Sequence, residues 1–92
     1  METLETGAYV YLIVSLSDPT RRYIGLTDDV PRRLSQHNRG QSKHTAIHRP
    51  WKLVAFIWFE ESSKAREFER YLKHGSGHAF AVKHFWGMKG QT

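Results

Sequence analysis

No cysteine occurs among the chain's 92 residues, so neither a disulfide nor a thiolate zinc site can brace the fold. Long apolar runs are missing too. The longest, LVAFIWF at 53–59, is far too short to cross a bilayer. The opening METLETG is acidic and poor in apolar residues, unlike a secretory leader. These absences predict a soluble, cytoplasmic protein with no membrane segment. Acidic residues are absent where basic ones gather: Arg32 to Lys52 holds six Arg or Lys and three His, but no Asp or Glu. Such a one-sign block on a chain of net charge +5 points to a polyanion partner, the alternative being a solvated basic surface.

What is present suits one small domain. A hydrophobic share of 39% with 13% aromatic residues is globular rather than disordered. A chain of this length buries only about 60–65% of its unfolded surface, so a few large side chains must fill the core. AYVYLIVS (8–15) and RYIGL (22–26) read as strands around an Asp-Pro turn, forming a hairpin. Thr27, Asp28 and Asp29 offer helix caps, Pro31 fits a first turn, and Gly40 is a stop, predicting a helix over 29–39. Residues 40–50 read as a basic loop. WKLVAFIWFE (51–60) is apolar on both alternating faces and reads as a central strand. Helices are expected over 63–74 and 78–86, separated by the Gly75-Ser76-Gly77 break. The order β-β-α-β-α-α predicts an α/β fold of the α+β sandwich kind, with a three-stranded, mainly antiparallel sheet flanked by helices. The expected domain is 8–86, with tails at 1–7 and 87–92.

Ionisable residues fall on the stripes these helices should bury. In the first the stripe is Val30, Arg33, Leu34, His37; in the second it is Ala65, Phe68, Glu69, Leu72. An unpaired charge there costs several kcal/mol (order of magnitude), so two arrangements are open. Arg33 and Glu69 pair or lift their heads to the rim, or they converge on a cleft, with Glu69 on a cation and Arg33 on a phosphate. Tyr11 and Tyr23 share a sheet face if the hairpin register has an even residue sum; otherwise they part. The bland reading of both is amphipathic core tyrosine. His44 with His48, and His74 with His78, are spaced four apart but enclose no HExxH motif. Gly75-Ser76-Gly77 reads as a helix break, with a small anion nest as the alternative.

Together Tyr9-Val10-Tyr11, Tyr23-Ile24-Gly25, RRLSQHN (32–38), RPWKLV (49–54), AREFERYLK (65–73) and GSGHAFAVKHF (75–85) resemble a GIY-YIG nuclease domain over residues 8–86. The pattern is most similar to small stand-alone UvrC-like members, and also to the nuclease domain of eukaryotic structure-selective junction endonucleases. The resemblance implies DNA cleavage with one divalent metal, Mg²⁺ or Mn²⁺. By position it assigns Tyr11 and Tyr23 as the paired tyrosines, one of them handling the attacking water. Arg33 matches the catalytic arginine, Glu69 the metal-binding glutamate, and His37 a histidine that either relays a proton or orients a neighbour. Leu26 stands where UvrC has lysine, and Asn38 is the only asparagine available for a late active-site role.

The expectation is a metal-dependent DNA endonuclease that selects structure rather than sequence, in repair or recombination. Arg32, Arg39, Lys43, His44, His48, Arg49 and Lys52 would contact backbone phosphates. No element looks like a recognition helix, so a partner protein could supply specificity. The alternatives are a non-catalytic nucleic-acid-binding subunit, and RNA as the substrate.

Overall fold

A computed structural model describes residues 7–87; the expected tails fall outside the described residues, apart from Gly7 and Gly87. The elements are β1 (Ala8–Ser15), β2 (Arg22–Thr27), α1 (Val30–Asn38), α2 (Lys43–Ala46), β3 (Trp51–Phe59), α3 (Ser62–Leu72) and α4 (Gly75–His84). The sheet is antiparallel, in the order β2-β1-β3. Apart from the short α2, this is the expected β-β-α-β-α-α arrangement.

The central strand is β1, and β3 lies at an edge. That corrects the reading of 51–60 as the central strand. Apolar residues alternate on both faces of β3 for two different reasons. Ile57 and Phe59 pack into the main core, whereas Phe56 and Trp58 are each 52% exposed on the opposite face. Tyr9 lies against both of these rings, at 5.6 and 4.9 Å between centroids.

Alternation along β1 divides the core in two. Val10 and Leu12 point to one face, where Ala65 and Leu72 of α3 and Ala81 of α4 meet them. Tyr11 and Ile13 point to the other, against Val30 and Leu34 of α1 and Trp51. Each fully buried aliphatic side chain contributes about 1.5–3 kcal/mol, so these two thin layers must hold the domain. The helices carrying Arg33 and Glu69 therefore lie on opposite faces of the sheet.

The helix signals mostly hold. Asp29 caps α1 by accepting from the Arg32 backbone N–H at 3.0 Å, Pro31 sits in the first turn, and Gly40 follows the helix at φ +78°. The basic segment 40–50 is not wholly loop, because α2 forms within it. The final helix begins at Gly75 and ends at His84, earlier at both ends than expected. Gly77 lies inside this helix, packed so closely on α3 that a Cβ would overlap the Tyr71 carbonyl.

Candidate active site

The hairpin register pairs Tyr11 with Gly25 and Ile13 with Tyr23, an even sum. Tyr11 and Tyr23 consequently share a face as diagonal neighbours, with ring centroids 6.2 Å apart. His37, on the buried stripe of α1, joins them at 5.7 Å from Tyr11 and 5.2 Å from Tyr23.

Tyr11 and His37 are almost fully buried, and their polar atoms are all engaged. Tyr11 Oη lies 2.8 Å from His37 Nε2, and His37 Nδ1 lies 2.6 Å from Thr45 Oγ1. Thr45 Oγ1 in turn donates to the Ser42 carbonyl at 3.3 Å. At the other end, Arg33 Nε donates to Tyr11 Oη at 3.3 Å, and Arg33 Nη1 to Gln36 Oε1 at 2.9 Å.

Electrostatics fixes the direction of this chain. Burial pushes the Tyr11 phenol up to about 12, although the Arg33 hydrogen bond opposes it. Burial, with the Arg33 charge as a smaller cause, pushes His37 down to about 4. At neutral pH the proton therefore stays on Tyr11, which donates to Nε2. Nδ1 then carries the ring hydrogen and donates to Thr45. Tyr11 keeps its lone pair for Arg33, so every bond in the chain is satisfied. His37, hydrogen-bonded at both nitrogens and out of solvent, has the geometry of an orienter.

Glu69 is apart from this cluster. Its side chain, 17% exposed, forms an ion pair with Lys73 one turn along α3. The arrangement in which Arg33 and Glu69 pair is thereby corrected: each has its own partners, since α1 and α3 are separated by the sheet. The two faces communicate around the free edge of β2, where Tyr23, Leu72 and Lys73 line one concavity of about 260 Å³. Among the described residues, no group of three or more His, Cys, Asp or Glu could hold a metal. The histidine pairs thus gain no third ligand there. Glu69 is a half-buried carboxylate with a cation already beside it. A single carboxylate can serve a divalent ion that keeps most of its waters, but only if the Lys73 ammonium gives up its place.

Most of the expected phosphate contacts are outward-facing: Arg39, Lys43, His44, Arg49 and Lys52 are exposed. Arg32 is exposed too, but it is shared with Asp28 at 2.7 Å and Asp29 at 3.8 Å. His48 is half-buried, its ring edge-on to Trp51 and its carbonyl accepting from Ser15 Oγ at 2.6 Å. Asn38 serves the fold rather than a cleft. Its Oδ1 accepts from the Trp51 N–H at 2.5 Å, and its Nδ2 donates to the Trp51 carbonyl at 3.1 Å. Sequence reasoning missed Thr45, Gln36 and Lys73. The last two were legible as helical i+3 and i+4 neighbours of Arg33 and Glu69.

Residues 7–80 match the family model described as the GIY-YIG catalytic domain. The chain belongs to the GIY-YIG family. Among its relatives is the structure-specific endonuclease subunit SLX1 of Kluyveromyces lactis, 41% identical over 71 residues, or 70% of this chain and 25% of that protein. The SLX1 homolog of Giardia intestinalis is 37% identical over 67 residues, covering 68% of this chain and 19% of that one. The chain thus spans about a quarter or less of these relatives. A solved structure is similar over most of both chains: the NMR structure of a UPF0213 protein from Bacillus halodurans. It is 32% identical, with a TM-score of 0.52, and covers 85% of this chain and 82% of that one. In this GIY-YIG domain the YIG tyrosine and glycine are Tyr23 and Gly25, and Gly25 is the residue Tyr11 lies across.

Proposed function

We propose that this GIY-YIG domain is a metal-dependent endonuclease that hydrolyses phosphodiester bonds in branched DNA. The observation that carries the reading is the hydrogen-bonded chain Thr45–His37–Tyr11–Arg33, which ends in a guanidinium and against which Tyr23 packs its ring at Tyr11 and His37. A packing role alone would not need Arg33 held at both Nε and Nη1 with its remaining donors unused among the described residues. Those donors suit a phosphate that gains negative charge in the transition state.

In this mechanism Tyr11 positions rather than deprotonates. Its phenol is raised, buried and committed to His37, so it stays neutral and anchors Arg33. Tyr23 is the half-exposed hydroxyl of the pair and orients the attacking water in line with the scissile bond. Glu69 would hold Mg²⁺ or Mn²⁺, Lys73 moving aside; the bound ion supplies Lewis-acid charge at the phosphate. The exposed cations of 39–52 contact backbone phosphates without reading bases, which leaves shape as the selector. The names of the SLX1 relatives support structure-selective cutting, as a subunit with a partner protein that sharpens the choice. We take the domain's compartment to be the cytoplasm, with which the absence of cysteine is compatible.

The test is incubation with a flap, a four-way junction and a linear duplex, with Mg²⁺ or Mn²⁺. The reading predicts cleavage, strongest on branched substrates. Binding without cleavage of any of them transfers the domain to the nucleic-acid-binding subunits. RNA versions of the same branches decide the sugar preference.

A further inference from the structure

Two concave surfaces on the α3/α4 side of the sheet join at Arg22 and Trp86. The first opens at the β2 edge beside Tyr23, Lys73 and His78. The second, about 940 Å³, continues past the β1–β2 turn between Thr20, Lys52 and Phe85. Arg22 immediately precedes Tyr23 in β2 and so points to the opposite face of the sheet. Its guanidinium lies over the Trp86 ring, 5.3 Å from the centroid. That contact holds the cation at the junction of the two hollows while leaving Arg22 exposed.

The charge along this trench has one sign. Among the described residues, no Asp or Glu lines either hollow. The nearby carboxylates have partners: Glu69 faces Lys73, and Asp18 holds Thr20 Oγ1 at 2.6 Å and Arg21 at 3.6 Å. The walls are apolar and aromatic, from Val14, Val54, Phe85 and Trp86. Phosphate-binding cations beside an apolar, aromatic wall are the two requirements for holding an unpaired strand. A duplex turns its bases inward and cannot lay them on Phe85.

We propose that this trench binds the single-stranded arm of a branched nucleic acid, with phosphates on Arg22 and Lys52 and a base against Phe85. The arm enters at Tyr23, so the idea rests on the reaction-site reading for its direction alone. The duplex part lies on the other face, along the basic segment. Lys52, at the start of β3, borders both. Structure selectivity then comes from two surfaces on opposite faces of one sheet, meeting at the edge where Tyr23 stands.

Metal-free binding by fluorescence anisotropy tests this independently of cleavage. The probes are a nicked duplex, the same duplex with a single-stranded flap, and the isolated single strand. Wild type is expected to bind the flap several-fold more tightly than the nicked duplex. Arg22→Gln should erase that advantage and lower the salt slope for the single strand by about 0.7, the value of one phosphate contact. Its slope on nicked duplex should not change. Lys52→Gln, which leaves the Arg22–Trp86 stack intact, should also weaken the single strand, so a fold defect at residue 22 cannot produce the result alone. Equal weakening of flap and nicked duplex by Arg22→Gln, or no change in either, overturns the proposal.

Discussion

Tyr11 lies directly across Gly25 of the neighbouring strand: a methyl at residue 25 would stand 2.7 Å from Tyr11 Oη and 2.8 Å from its Cζ. The glycine is what lets the phenol reach His37 and Arg33. Gly25→Ala must push the ring away or bend the strand, an overpacking that costs about 1–3 kcal/mol. It should lower the thermal midpoint and reduce the cleavage rate more than DNA affinity. A Gly25→Ala protein that is stable and fully active would mean that the ring's place is irrelevant to the chemistry.

Thr45 fixes the far end of the same chain. Thr45→Val keeps the shape but leaves the buried His37 Nδ1–H without an acceptor, at a cost of about 1–3 kcal/mol. The Nδ1–H tautomer should be the form seen by imidazole nitrogen NMR in wild type and in Thr45→Ser, and should be lost or mixed in Thr45→Val. Cleavage should follow the tautomer, with Thr45→Ser near wild type.

Arg33 is held by Tyr11 and Gln36, and its other donors have no partner among the described residues. A lysine carries the charge but cannot keep that planar fork. Arg33→Lys is therefore expected to lose roughly a hundredfold or more in kcat, the size of effect for a lost transition-state donor, with KM changed far less. Parallel losses in kcat/KM and binding would make Arg33 a phosphate anchor only.

Acid and alkali should each weaken the fold at one end of this chain. His37 is depressed to about 4 in the folded state against about 6.5 in an unfolded chain. The unfolded state therefore takes up the proton first, and stability declines as pH falls from about 6.5 to 4, by up to about 3 kcal/mol. Tyr11 is raised to about 12 when folded against about 10 unfolded. Here the unfolded state releases its proton first, so stability declines as pH rises from about 10 towards 12. Denaturant unfolding across pH checks both limbs, and His37→Gln should flatten the acid one.

The strands, the three longer helices and the stripes carrying Arg33, His37 and Glu69 were legible in the sequence because period and capping are local. The shared face of Tyr11 and Tyr23 needed only the parity of the hairpin register. Which strand is central was not legible: Phe56 and Trp58 make β3 look two-sided, yet they are exposed on an edge. Thr45 was hidden for a different reason. A polar residue in a basic segment gives no periodic signal, and its burial depends on His37 reaching it from another helix. That Arg33 is not Glu69's partner depended on layers, since only the assembled sheet separates α1 from α3, whereas Lys73 was legible as the i+4 neighbour.

The most direct test of the central claim compares wild type with Glu69→Gln on a flap substrate, measuring cleavage with Mg²⁺ and binding without it. The account predicts that Glu69→Gln binds the flap as wild type does, while its cleavage falls to background. Cleavage by Glu69→Gln at the wild-type rate, with unchanged metal dependence, would contradict it.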